Sequence, residues 1–300
     1  MKLKDRHADS TLEGTSPAGD VTPQDIASRL EKIERVLASV ERQTRALPAI
    51  MRKLYLSGVE LPPPYDLLAE RFTFLSQNEE DGVLLALFKR IGVTDRRFVE
   101  IGCGMNGGNS GFLTQECGWT GMMVDANPKS VEKLAVRFAG HAVNVQQARV
   151  SRENVNGLLT AHGFTGGLDL LGIDIDGVDY WVWEAVTACT PRVVTMEYNW
   201  LFRDTRAVTV PYDADFDVNT SGLRCYRGAS LAALVCLGRR KGYRLVATEG
   251  VNAFFLRNDV APNIAEVDVT RACRVPRNIN EHKSAFDQIE EAGLTLVTVS

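Results

Sequence analysis

Histidine is scarce in this chain of 300 residues, with four in all. His141, His162 and His282 each stand alone in sequence, so none is assigned a catalytic role. The six cysteines (Cys103, Cys117, Cys189, Cys225, Cys236 and Cys273) form no C-x-x-C pair. That scatter excludes a zinc knuckle and a dense disulfide scaffold, and reads as small buried fillers in a reducing compartment. No apolar run approaches the roughly 18 residues that a membrane span needs. The opening "MKLKDRHADS" is basic with no apolar segment behind it, so no secretory signal is expected. An excess of positive charge is missing too. The formal net charge of −4 speaks against a general electrostatic grip on nucleic acid. These absences lead to the expectation of a cytoplasmic protein with no membrane span and no nucleic-acid partner.

What is present, 45% hydrophobic and 24% charged residues, is the composition of an ordinary globular protein. The length suits one large α/β domain with an appendage, or two modest domains. Residues 1–22 are rich in Ser, Thr, Gly, Asp and Pro, and a disordered tail is expected there. Over residues 23–58 the texture becomes helical. Ile26, Ile33, Val40 and Leu47 recur every seven residues, with Leu30, Leu37 and Thr44 at the four-residue offset. This pattern predicts an amphipathic helix, which either packs on the main domain or forms a homodimeric coiled coil over residues 24–47. "ELPPPYD" (60–66) stops any helix and marks a boundary, so the main domain is placed at 66–300.

After a helix in "SQNEEDGVLLALFKRIG", where Ser76 or Asn78 can cap, strands and helices alternate. "RRFVEIG", "TGMMVDAN", "AVNVQQARV", "DLLGIDID" and "RVVTMEYN" read as strands. "SGFLTQECG", "PKSVEKLAVRFAG" and "YWVWEAVTAC" read as helices between them. The helix "SLAALVCLGRRKG" then precedes the strands "YRLVATE" and "NAFFLRN". Only "GV" joins those two strands, a link short enough for an antiparallel hairpin and too short for a parallel crossover. The fold expected is α/β, a doubly wound Rossmann-like sheet of about seven strands ending in an antiparallel hairpin.

"FVEIGCGMNGGNSG" (98–111) ends a strand and opens a helix, and Gly102, Gly104 and Gly107 satisfy G-x-G-x-x-G. Alone this match is weak. Glu100 lies two residues before the first glycine, and Asp125 ends the next strand, placed to take both hydroxyls of a ribose. With these neighbours the chain resembles the class I S-adenosylmethionine-dependent methyltransferases. Their first motif, E/D-x-G-x-G-x-G, here reads Glu100-Ile-Gly102-Cys-Gly104-Met-Asn106, with asparagine at the third glycine. The resemblance implies S-adenosylmethionine as cofactor, held by Glu100, Gly102, Gly104, Asn106 and Asp125, with Arg149 and Ser151 where the adenine edge is framed. The blocks "SQNEEDG", "VEIGCG", "GIDIDGVDYWVWEAV", "EYN", "VPYD", "YRGASLAAL" and "KGYRLVATEGVNAFFLRND" are similar, over about residues 76–258, to the FkbM-like group of bacterial methyltransferases. That group implies O-methylation of a small-molecule or glycan acceptor, such as a sugar, a glycoside or a polysaccharide precursor.

In "LLGIDID", Asp174 and Asp176 share parity and are expected on one side of the strand, at its carboxyl end. Glu197 and Asn199 stand in the same relation in "VVTMEYN". If the two strands are neighbours, these four side chains converge as a catalytic group that organises the acceptor. Such a cluster repels itself unless a cation or protons are shared within it. Oxygen ligands without His or Cys suit Mg²⁺ or Mn²⁺, held by Asp174, Asp176 and Glu197. A similar D-x-D element follows the fourth strand of antibiotic-sugar O-methyltransferases, where it looks to be part of a magnesium site. The plainer alternative gives Asp174 a contact to the methionine end of the cofactor, and gives Asp176 and Asp179 a capping role for the helix near Tyr180. Tyr180, Trp181 and Trp183 read as core more readily than as stacking platforms. Tyr226, Arg227 and Ser230 are placed to reach an anionic substrate, or Ser230 simply caps a helix. The rival readings of the whole chain are an NAD(P)-dependent oxidoreductase and a non-catalytic Rossmann-like assembly module.

Overall fold

The computed structural model describes residues 61–63, 65–203, 206–273 and 284–300, together with residues 26–37, Gln24, Val40, Thr44 and Leu47. The expected tail over 1–22 and His282 lie outside the described residues. Residues 26–37 are helical (α1), with an i, i+4 ion pair between Glu31 and Arg35. Its a/d side chains Ile26, Leu30, Ile33 and Leu37 are about half exposed.

The described residues from Tyr65 onward are built on a seven-stranded sheet. The strands are β1 (Arg97–Ile101), β2 (Thr120–Asp125), β3 (Val143–Gln147), β4 (Gly166–Ile173), β5 (Cys189–Glu197), β7 (Tyr243–Glu249) and β8 (Asn252–Arg257), in the order β3-β2-β1-β4-β5-β8-β7. The first five run parallel, and β8 is antiparallel to both β5 and β7. The two-residue link of the hairpin and its direction are those the sequence predicts. The interior strands are near-continuous apolar runs because both faces are covered, as parallel sheets require. One face carries α6 (Val155–Ala161), α7 (Asp179–Ala185) and α8 (Leu231–Arg240), packed through Val155, Leu159, Val182, Trp183, Leu231 and Leu234. The other carries α2 (Tyr65–Leu68), α3 (Glu80–Ile91), α4 (Gly111–Cys117) and α5 (Pro128–Arg137), packed through Leu67, Leu84, Leu87, Leu113 and Leu134.

Several details differ from the sequence reading. The N-cap of α3 is Glu79, which makes no capping bond, while Ser76 Oγ accepts the Asp81 N–H at only 3.4 Å. The start of α3 is instead held by Asp81, whose Oδ2 accepts the N–H groups of Phe74, Leu75 and Ser76. Helix α7 stops at Ala185 and β5 begins at Cys189, so "TAC" belongs to the turn and the next strand. Residues 201–225 and the C-terminal stretch pack together. A two-residue strand β6 (Val208–Thr209) pairs antiparallel with β9 (Val297–Thr298). Helix α9 (Val269–Ala272) lies against α8, and α10 (Ala285–Glu291) joins a satellite core with Phe202, Val210 and Tyr226.

Candidate active site

Wherever parallel strands end in loops, their carboxyl edge opens a crevice. Here the crevice is a cleft of ≈ 540 Å³ whose walls include Gly102, Gly104, Asp125, Arg149, Asp174 and Asp176. Strands β1 and β4 meet at its centre. Gly102 has φ 81°, and a Cβ there would lie 1.6 Å from the Asp174 carbonyl oxygen, so only glycine lets the two chain segments touch. Asp125 joins the loops on either side of it. Its Oδ2 accepts the Gly104 N–H and its Oδ1 accepts the Asn127 N–H, both at 2.8 Å. Asn106 donates through Nδ2 to the Leu75 carbonyl at 2.6 Å and accepts Gly108 N–H, latching the glycine loop to the segment before α3. Arg149 donates to the Phe216 carbonyl at 3.1 Å, which ties the end of β3 to a covering loop around residues 214–219.

Glu100 does not face this cleft. Its carboxylate is fully buried, accepting the Asn109 N–H at 3.0 Å and a very short bond from the Ser110 hydroxyl. Burial pushes its pKa up to about 7 despite those donors. Any part it takes in cofactor binding is therefore through the shape of the glycine loop. Gly172 is its register partner on β4, and leaves the room that the carboxylate fills.

Asp174, Asp176 and Glu197 do come together: one carboxylate oxygen of each lies within 4.8 Å of the others. Strand alternation is not what aligns the two aspartates, because β4 ends at Ile173. Asp176 sits at φ 56°, a left-handed conformation that aspartate tolerates, and the turn brings its side chain round. Burial, then repulsion from Glu197, Asp179 and Asp176, raises Asp174 far above the usual carboxylate range. Burial and Asp179 likewise raise Glu197 to about 8, partly offset by Arg227 and by a hydrogen bond with Asp174. With both carboxyls raised and a hydrogen bond between them, Asp174 and Glu197 form a pair that holds a proton more tightly than free carboxylates do. The cation that meets the cluster is Arg227, which donates to Asp176 by a very short bond and reaches Glu197 at 3.4 Å.

Asn199 does not join the carboxylates. Its Nδ2 donates to the carbonyls of Cys225 and Arg227, and its Oδ1 accepts the Leu201 N–H, so it fixes the backbone that presents Arg227. Asp179 takes the plainer role: it accepts the N–H groups of Ile175 and Gly177 and closes the turn into α7. Tyr180 and Trp183 are buried in the core, and Trp181 Nε1 donates to the Val210 carbonyl. Ser230 caps α8, Ser151 N–H donates to Asn154, and the Tyr226 hydroxyl donates to the Thr295 carbonyl. His141 packs edge-on against Phe138, and His162 bonds Asn144; neither is among the residues lining the cleft. A second cleft of ≈ 610 Å³, lined by Tyr198, Trp200, Arg224 and Arg227, shares Val218 and Asn219 with the first. The sequence reading missed the covering loop and two buried side chains of the main cleft, Glu80 and Asn252. The hairpin register held a signal for the second, since Asn252 opens β8 directly opposite Glu197.

The trio of carboxylates is the group among the described residues that could hold a metal ion, and its hard oxygens fit Mg²⁺ in donor type. No helix among the described residues is long and apolar enough to cross a membrane.

No family model matches the chain, and no curated protein does. Solved structures do. The methyltransferase domain of bacterial CtHen1-C is 14% identical over 59% of this chain and 97% of that one, with a TM-score of 0.38. The N-terminal domain of EvdMO1, solved with S-adenosylhomocysteine and D-fucose, is 11% identical over 60% and 81%, with a TM-score of 0.38. A S-adenosylmethionine-dependent methyltransferase from Clostridium acetobutylicum is 11% identical over 71% and 98%, again with a TM-score of 0.38. At these identities and scores no functional residue is carried from them to this chain.

Proposed function

We propose that the chain is an S-adenosylmethionine-dependent methyltransferase of the FkbM-like kind, which methylates a hydroxyl oxygen of a sugar, a glycoside or a polysaccharide precursor. One observation carries this reading. A single cleft is lined by the glycine loop and Asp125 together with Asp174 and Asp176, and a Glu197 carboxylate oxygen lies within 4.8 Å of theirs. Its size suits a nucleoside-bearing ligand. Asp125 and Arg149 line the same cleft, and the reading gives the ribose hydroxyls to Asp125 and the adenine edge to Arg149. Bound S-adenosylmethionine supplies a methyl already activated by its sulfonium. The chain's own task is to hold the acceptor oxygen in line and to take one proton. As the acceptor oxygen took the methyl and the donor left as a thioether, the hydroxyl proton would pass to the Asp174–Glu197 pair. A methyl ether and a thioether result. A Glu197 carboxyl raised to about 8 is matched to that step. Arg227 keeps the pair partly ionised, and Asn199 keeps Arg227 in place.

Asp174, Asp176 and Glu197 are also the residues that would hold Mg²⁺, which would supply Lewis-acid activation of the acceptor hydroxyl. To receive it, the trio must release its shared proton and Arg227 must turn away. The heptads of α1 support a homodimer formed through residues 24–47.

The test is calorimetric titration with S-adenosylhomocysteine and with NADH, followed by a screen of sugar and glycoside acceptors for methyl transfer. Binding of the first ligand alone, and a methylated hydroxyl, are expected. Binding of NADH would favour an oxidoreductase and sink the proposal. Binding of neither would favour a non-catalytic module.

A further inference from the structure

The segment "SQNEED" before α3 places Glu80 at the first position of that helix, 1% exposed and facing the main cleft. Its carboxylate accepts the Asn78 N–H at 2.9 Å, Asn78 Nδ2 at 2.8 Å and Asn252 Nδ2 at 2.8 Å. All three donors are neutral amides. Asn252 opens β8, 4% exposed, in register with Glu197 on one side and Glu249 on the other. A carboxylate only accepts, so the bond to Glu80 fixes which end of the Asn252 amide is nitrogen. The opposite end, Oδ1, is buried and has no hydrogen-bond partner among the described residues. Asn252 lines the cleft together with Glu80 and with Gly108 and Asn109 of the glycine loop.

A buried acceptor without a donor is rare, because it forfeits its bond to water and gains none. Beside it stands a buried carboxylate whose donors carry no charge. The chemistry that satisfies both is a cation bearing several N–H groups. A primary ammonium offers three in a compact head, where a guanidinium is broad and flat. A metal ion fits poorly, since two N–H donors already point at Glu80 Oε1 and their hydrogens would face the ion. The cleft is continuous with the glycine loop, so the ammonium belongs to whatever that loop holds.

We infer that Glu80 and Asn252 form an ammonium subsite, which takes the α-amino group on the amino-acid half of the methyl donor. This rests on the function proposed above. The subsite sets the donor apart from adenosine derivatives that lack the amine, using residues from outside the glycine-loop motif.

Three ligands test it by calorimetry on the full chain: S-adenosylhomocysteine, its deaminated analogue that keeps the carboxylate, and 5′-methylthioadenosine. The native protein should bind the first about 10- to 100-fold more tightly than the second, the span expected of hydrogen bonds to a charged group. Glu80→Gln and Asn252→Leu should each remove most of that difference, and leave the affinity for 5′-methylthioadenosine unchanged. That last affinity also reports that each variant is folded. Equal binding of S-adenosylhomocysteine and its deaminated analogue to the native protein overturns the subsite while the methyltransferase reading stands. Variants that weaken all three ligands alike overturn it too, making the pair structural. If the native protein binds none of them, the proposed function fails and the subsite with it.

Discussion

The Arg227 guanidinium lies 3.4 Å from Glu197, and Arg227 is the positive charge that lowers the raised titration of that carboxyl. Removing it with Arg227→Met leaves the pair with burial and repulsion alone. On the proposed reaction, the alkaline rise of kcat/KM should then move up by about one pH unit, the scale of one nearby charge. A pH–rate profile of the variant checks this, and an unmoved profile would detach Arg227 from the proton acceptor.

Glu197 itself sets the acid limb. Because its carboxyl is raised to about 8, methyl transfer should climb as pH rises through that value, where the pair becomes able to accept a proton. Glu197→Gln should lower kcat by about 10²- to 10⁴-fold, the usual contribution of a general base, and flatten the limb. A variant of near-normal kcat would remove the pair from the chemistry.

Divalent ions and protons compete for the same oxygens at Asp174, Asp176 and Glu197. Mg²⁺ or Mn²⁺ affinity should therefore rise up to about tenfold per pH unit between roughly pH 6 and 8, if one proton is displaced per ion. Titration with Mn²⁺ at several pH values reads this directly. Affinity independent of pH, or no binding, would leave Arg227 as the cation of the cluster.

Stability carries a separate pH signature. Glu100 is raised to about 7, above its ordinary 4.5, so the folded state binds this proton more tightly than the unfolded state. Its contribution is favourable at low pH and is lost as pH rises from about 4.5 to 7. Glu100→Gln stays neutral and can still accept the Asn109 N–H. Relative to the native protein it should gain on the order of 1–3 kcal/mol between pH 5 and pH 8. Thermal melts of both proteins at the two pH values measure that gain, and parallel curves would place the Glu100 proton elsewhere.

For α1, light scattering of the full chain and of a chain starting at Glu60 is decisive. A dimer that becomes a monomer on truncation is expected, and a truncated dimer would exclude the heptads as the interface.

Periodicity made the sheet legible, because buried parallel strands are apolar runs and their spacing forces crossover helices. The glycine loop, Asp125 and the reversed hairpin fell where spacing put them. The site was less legible, because parity along a strand gives a side and not a neighbour. Arg227 arrives 30 residues after Glu197 from a loop whose path is set by Asn199. Glu80 and Asn252 lie 172 residues apart in sequence and meet only once β8 is inserted beside β5. Asn199 looked like a fourth member of the convergent group for the same reason. Its amide is spent on backbone carbonyls that the sequence gives no means of placing there.

Gly172 and Glu100 face each other across β4 and β1, and a Cβ at position 172 would stand 2.5 Å from the Glu100 carboxylate. The two positions are thus epistatic, and the order of change matters. A lineage that first shortened Glu100 to alanine would open space for Gly172→Ala, whereas the reverse order passes through a clash inside the sheet. Which side chains position 172 admits is therefore decided by the one at position 100.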